Sequence, residues 1–157
     1  MYLRKEKEVF YMRRRKAIKK LIKSINKNIK VVFHKGQLEC DIINKIVYVG
    51  SKNSDIADRL FSDFVKENCS ECKYNAFLMG ILHEVGHIMT WNEELDKDRD
   101  EQYSLMKVAY KLGLYDADTL NKEYFKIPLE LNATKWGIEY AMSHRRKMNK
   151  LDKKIIK

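Results

Sequence analysis

Residues 75–90 are the most apolar helical stretch of the chain, and two histidines, His83 and His87, sit inside it with Glu84 between them. Histidines four residues apart on a helix differ by about 40° after one turn and by a rise of roughly 6 Å, so both imidazoles face one point. Glu84 lies about 100° round from His83, beside that point rather than on it. An unpaired imidazole is costly to bury in such a setting, which makes a shared metal ion the economical reading of the pair. Gly86 gives up about 1 kcal/mol of helix propensity relative to Ala, as expected if something must approach closely there. The pattern is H-E-x-x-H, in which the glutamate takes a proton from a zinc-bound water and passes it to the leaving amine.

A catalytic zinc needs a third protein ligand and an open position. Glu93, Glu130 and His144 are the candidates. Glu93 follows His87 by six residues, but Thr90 stands where that spacing pattern wants glycine, and its surroundings read as an exposed acidic turn. Glu130 opens the last helix just after Pro128, a residue suited to the first helical position. Ala133, Gly137 and Ala141 line up with it as a small-residue stripe that would let this helix approach the one carrying His83 and His87. A first-turn glutamate also has a bland reading, a favourable charge against the helix dipole. His144 lies about 21 Å further along the same helix and cannot share a metal with Glu130.

His83-Glu84-Val85-Gly86-His87, followed by Glu130, Ala133, Trp136 and Gly137, resembles the ImmA/IrrE family of gluzincin metallopeptidases, which pair H-E-x-G-H with a downstream E-x-x-A helix. The resemblance covers roughly residues 38–145. It implies a zincin-like α+β domain with one zinc per chain, Glu130 as third ligand and Glu84 as catalytic base. Members occur in bacteria, phages and mobile elements, and the best known cleave transcriptional repressors. A protein or peptide substrate, a transcriptional regulator among the candidates, follows by resemblance. Two departures stand against a full transfer: 43 residues separate His87 from Glu130, and no helix-turn-helix is attached.

The rest of the chain reads as one α+β domain. Residues 5–28 form a basic amphipathic helix, peripheral or detached, with Val9, Met12, Ala17, Leu21, Ile22 and Ile25 near one stripe. Val31–His34, Leu38–Ile43 and Lys45–Val49 read as three strands of a small antiparallel or mixed sheet, for which an antiparallel meander is a plausible order. Ile46–Val49 is either an edge strand on which a peptide substrate could lie or an internal strand. Ser54 or Asp55 caps a helix to about Lys66, with Ile56, Leu60, Phe61 and Phe64 on its inner face. Helices are predicted over 101–112, stopped by Gly113, and over 116–124. A last helix runs from Pro128 to about Met148.

Charge is unevenly placed. Residues 1–30 carry twelve Lys/Arg and two Glu, residues 145–157 seven Lys/Arg and one Asp, so the net +10 leaves 31–144 at −6. Basic ends are able to meet nucleic acid or another polyanion, or simply to be solvated helix faces. They define the alternative function, a metallopeptidase-like binding protein that docks nucleic acid or a protein partner. No stretch reaches the twenty or so apolar residues of a membrane span, and no signal peptide is evident. Three cysteines, Cys40, Cys69 and Cys72, fit a reducing compartment, so a cytosolic home is expected, and the resemblance implies that of a bacterial host cell. Cys69 and Cys72 read as ordinary half-buried thiols, because only Cys40 and His34 remain to complete a second metal site. Tyr103, Tyr110, Tyr140 and Arg145 are candidate oxyanion stabilisers, none singled out by spacing.

Overall fold

A computed structural model describes residues 2–50 and 55–156, with side chains described over 9–50 and 58–155. The chain begins with helix α1 (Tyr2–Ile25) and three strands, β1 (Lys30–Phe33), β2 (Glu39–Asp41) and β3 (Ile46–Val49). Helices α2 (Asp55–Asn68), α3 (Ala76–Thr90), α4 (Glu93–Lys111), α5 (Ala117–Lys126), α6 (Pro128–Ser143) and α7 (Arg145–Ile156) follow. The architecture is α+β, mostly helical. Ser54 and the side chains of Asp55 and Ile56, assigned to the start of α2, lie outside the described residues.

The sheet is mixed and its order is β1-β3-β2, which corrects the meander. β3 pairs with β2 in antiparallel register, Cys40 opposite Val47, and with β1 in parallel register, Val31 opposite Val47. The reason is burial. Ile46-Val47-Tyr48-Val49 is the most β-prone stretch, Val47 and Val49 are buried, and the central position pairs both of its edges. Residues 34–38 are long enough to carry the chain past that central position before β2 turns back. Ile46–Val49 is therefore an internal strand, and β2 is an edge.

α3 is apolar all round because it is enclosed. Leu78, Ile81, Leu82 and Val85 are buried within a core that Val47, Val49, Phe61 and Val65 complete from the sheet and α2. Asn75 caps the helix, its side chain accepting from the Phe77 amide at 2.9 Å. α1 is not detached: Ile18, Leu21 and Ile22 are buried in the same core with Met148 and Ile155 of α7. Two residues assigned to its inner stripe belong elsewhere, since Val9 is 47% and Met12 71% exposed.

Two helix boundaries differ from the sequence reading. The acidic segment after Trp91 is mostly exposed, as expected, but it is the first turn of α4 rather than a separate turn. Asn92 caps it by accepting from the Leu95 amide at 3.1 Å, and Glu93, Glu94 and Asp96 sit where the helix dipole favours negative charge. The helix that starts at Pro128 ends at Ser143 rather than near Met148. His144 leaves helical geometry at φ −118°, and its carbonyl accepts from Lys147 and Met148, so α7 starts on a new axis that takes Met148 and Ile155 into the core.

Candidate metal centre

α3 and α6 cross in close contact, and the small residues explain how. A Cβ built on Gly86 would lie 2.4 Å from the Ala133 carbonyl oxygen, so the close approach expected at that glycine is the backbone of α6. Gly137 faces the Leu82 backbone in the same way, a Cβ there meeting it at 3.3 Å. The Ala133–Gly137–Ala141 stripe thus lets α6 lie on α3, with Ala133 and Ala141 fully buried.

The crossing brings His83, His87 and Glu130 together. His83 Nε2 is 3.1 Å and His87 Nε2 3.2 Å from Glu130 Oε2, and the two Nε2 atoms are 3.0 Å apart. All three side chains are buried, Glu130 to 1% exposure. Three atoms that each carry a lone pair cannot converge this way on their own. Shared protons or a cation must relieve the repulsion. The triangle is slightly tighter than a tetrahedral ion with bonds of about 2.0–2.2 Å requires, since such an ion has ligand–ligand edges of about 3.3–3.6 Å, and an opening of a few tenths of an ångström would admit one. Two imidazoles and a carboxylate thus form a donor set compatible with one metal ion, and this is the one such group among the described residues.

Thr134 fixes the tautomer of one ligand. Its hydroxyl donates to the Glu130 carbonyl at 3.0 Å, which uses its single hydrogen. His83 Nδ1, 3.0 Å away, must therefore be the donor to the hydroxyl oxygen, leaving the neutral ring's Nε2 lone pair aimed at the triangle. Tyr124 performs a matching task on the carboxylate, donating its hydroxyl to Glu130 Oε1 at 2.7 Å and leaving Oε2 for the histidines. His87 Nδ1 is buried without a partner among the described residues.

Charges in the cluster are strongly coupled. Burial opposes the imidazolium form of His83, but its hydrogen bond to Glu130 and the nearby carboxylates outweigh burial and raise its pKa. Burial pushes the Glu130 carboxyl up, and the hydrogen bonds from His83 and His87 overcome this and hold it well below the usual range. Glu84 is raised by burial against the pull of the two histidines. The Cys40 thiol, which lines the same site, has its pKa pushed far up by burial and by Glu84.

A cleft of about 380 Å³ opens onto these atoms. Glu39 and Cys40 of the β2 edge, Gln37 just before it, Phe61 of α2, Phe125 and Tyr124 of α5 and Arg99 of α4 line it. Phe61 packs edge-on against the His83 ring at 5.4 Å between centroids, which restricts that imidazole. Arg99 is held by Asp96 at 3.1 Å and Asp100 at 2.9 Å.

Of the sequence-stated candidates, His83, Glu84, His87 and Glu130 share this cleft. Glu93 is on the exposed start of α4, paired with Lys97 at 2.9 Å, and His144 is exposed at the α6–α7 junction, stacked on Tyr140 at 4.2 Å. Neither reaches the site. None of Tyr103, Tyr110, Tyr140 and Arg145 lines the cleft; Tyr103 touches it indirectly through a ring contact with Tyr124 at 5.0 Å. Cys72 is buried against Met79 and Cys69 is half-buried, and neither joins a metal-holding group with Cys40 and His34. Tyr124, Thr134, Cys40 and Arg99 are the residues that spacing did not single out. For Thr134 a signal existed, since it lies one helical turn after Glu130. Comparison with protein-family models, with curated proteins and with solved structures returns no match to this chain.

Proposed function

We propose that the protein is a zinc-dependent metallopeptidase of the gluzincin type, in which His83, His87 and Glu130 hold the ion and Glu84 is the general base. One observation carries the reading: the His83–His87–Glu130 triangle, closed to 3.2 Å or less, sits at the floor of an open cleft with a carboxylate beside it. Two imidazoles and a carboxylate suit zinc better than calcium or magnesium, which prefer all-oxygen sets. Zinc bound there would supply Lewis-acid activation of a water and of the scissile carbonyl.

The chain's own residues would do the rest. Glu84 is one residue round the helix from the triangle and half-buried, placed to accept a proton from the attacking water and return it to the leaving amine. An extended peptide would add to the β2 edge, whose residues 39 and 40 form the cleft wall, rather than to β3 as one sequence reading had it. Arg99, which lines the cleft, is the donor able to meet a developing oxyanion or an acidic substrate group, whereas the Tyr124 hydroxyl is committed to Glu130. The ImmA/IrrE resemblance extends the proposal to a narrow protein substrate such as a transcriptional regulator, met in a bacterial cytoplasm. Among the described residues no helix is long and apolar enough to cross a membrane.

The test compares cells expressing the wild type with cells expressing Glu84→Gln at equal levels, by mass spectrometry of newly formed protein termini. Cleavage products confined to the wild type are expected. Identical terminus sets would remove the peptidase reading while leaving the metal centre standing.

A further inference from the structure

The basic ends of the chain, far apart in sequence, are one surface in the fold. α1 and α7 pack side by side: Ile18, Leu21 and Ile22 of one meet Met148 and Ile155 of the other in the core. The Lys147 ammonium crosses between them to the Ser24 hydroxyl. With these apolar residues turned inward, Arg13, Lys16 and Lys20 of α1 and Arg146, Lys150 and Lys153 of α7 are exposed.

Among the α1 and α7 residues whose side chains are described, nothing acidic dilutes this face. Residues 9–30 contain no Asp or Glu. The single acid of α7, Asp152, is half-buried and accepts from the Asn75 amide at 2.9 Å, so it is committed inward. Among the described residues none of the six cations enters an ion pair, whereas Arg145 at the helix start is paired with Glu71 at 2.6 Å and is left out of the set. A run of acids, Glu93 to Glu101, lies instead on α4.

We propose that the paired α1–α7 face binds the phosphate backbone of duplex nucleic acid without reading its sequence. Two alternatives fit the face less well. A membrane-surface helix inserts an apolar stripe between its charges, but here that stripe is buried in the core. Val9 and Met12 are exposed only towards the outer end of α1. Single strands are held by stacking bases on open aromatic rings. Of the nearby aromatics, Tyr140 is stacked between Trp136 and His144 at 5.6 and 4.2 Å, and the Arg15 guanidinium covers the Tyr11 ring at 4.3 Å, so among the described residues no row of open rings lies along the face. What remains is a rigid array of cations, which suits the regular charge of a duplex. The proposal is independent of the peptidase reading.

The experiment is fluorescence anisotropy of the full chain with a labelled 20-base-pair duplex of arbitrary sequence, at 50 and 200 mM salt. With six phosphate contacts, affinity should fall by about a thousandfold between the two salts. Arg146→Glu with Lys150→Glu and Lys153→Glu should weaken binding at least tenfold at the lower salt. A control with the same charge change elsewhere, Lys107→Glu with Lys111→Glu and Lys122→Glu, should lose less than threefold. If the first variant melts earlier than the wild type, Lys150→Gln with Lys153→Gln replaces it, and its salt slope should be smaller by about two. Equal losses in variant and control would overturn the proposal by reducing it to net charge. Absence of duplex binding at 50 mM salt, or tighter binding to single strands or to phosphatidylserine vesicles than to the duplex, would overturn it as well.

Discussion

Gly86→Ala adds one methyl group, and the structure fixes where it goes: 2.4 Å from the Ala133 carbonyl oxygen and 2.9 Å from its Cα, both backbone atoms that no rotamer change can clear. Ordinary contact begins near 3.4 Å, so α6 must withdraw from α3 by about 1 Å at this point. Glu130 lies one turn from Ala133 on the same face of α6, and the withdrawal carries its carboxylate from the two imidazoles. Metal geometry tolerates about 0.2 Å, and lesser disturbances around ligands cost about 10–100-fold in affinity. A loss of at least 100-fold in zinc affinity is expected, read by competition with a chromophoric chelator. Stability sets two effects against each other: about 1 kcal/mol gained from helix propensity and about 1–3 kcal/mol lost to overpacking, so the metal-free melting temperature should fall or stay level. A variant that binds zinc like the wild type and melts higher would show that α6 does not depend on this contact, and the account of how the site is assembled would be wrong.

Three further outcomes are expected. Thr134→Val keeps the side-chain shape but removes the acceptor for His83 Nδ1, so zinc affinity should drop about 10–100-fold with little change in far-ultraviolet circular dichroism; unchanged affinity would mean the hydroxyl does not set the tautomer. Tyr124→Phe frees Glu130 Oε1 and should weaken zinc binding by about tenfold, again by chelator competition, while an effect on turnover alone would place Tyr124 with the substrate instead. The third concerns pH. His83 is raised, so its contribution to metal-free stability is present below about pH 6.5 and lost as pH rises through the folded value; Glu130 is lowered, so its contribution is present above about pH 4.3 and lost in stronger acid. The metal-free protein should melt highest in mildly acidic buffer, whereas added zinc, competing with the His83 proton, should stabilise more as pH rises. A metal-free melting temperature flat across this range would contradict the coupling.

How much of this was legible in the sequence follows the range of the interactions. The spacing of His83, Glu84 and His87 is a local helical fact, and it survives in the fold unchanged. Glu130 was reachable because Pro128 marks a helix start and the Ala133–Gly137–Ala141 stripe marks a close crossing, both properties of one helix. Tyr124 and Cys40 could not be reached that way, because they come to Glu130 and Glu84 from α5 and β2 through packing. The same distinction explains the sheet: strand existence is local, but the parallel β1–β3 pairing depends on which strand has most to gain from the centre. Acid density around Glu93 read as a loop because charge was weighed without its position, and a cap at Asn92 turns that same charge into a helix start. In α1 the long basic run left the inner face ambiguous, and Ile18, not Val9 or Met12, proves to lie inside.

The most direct measurement is the metal content of the purified protein, by elemental analysis, for the wild type, Glu84→Gln and Glu130→Ala. Close to one zinc per chain is expected in the wild type and in Glu84→Gln, with most of it gone from Glu130→Ala because the triangle loses the oxygen that both histidines face. Undiminished zinc in a folded Glu130→Ala protein would contradict the three-ligand centre on which the functional reading stands.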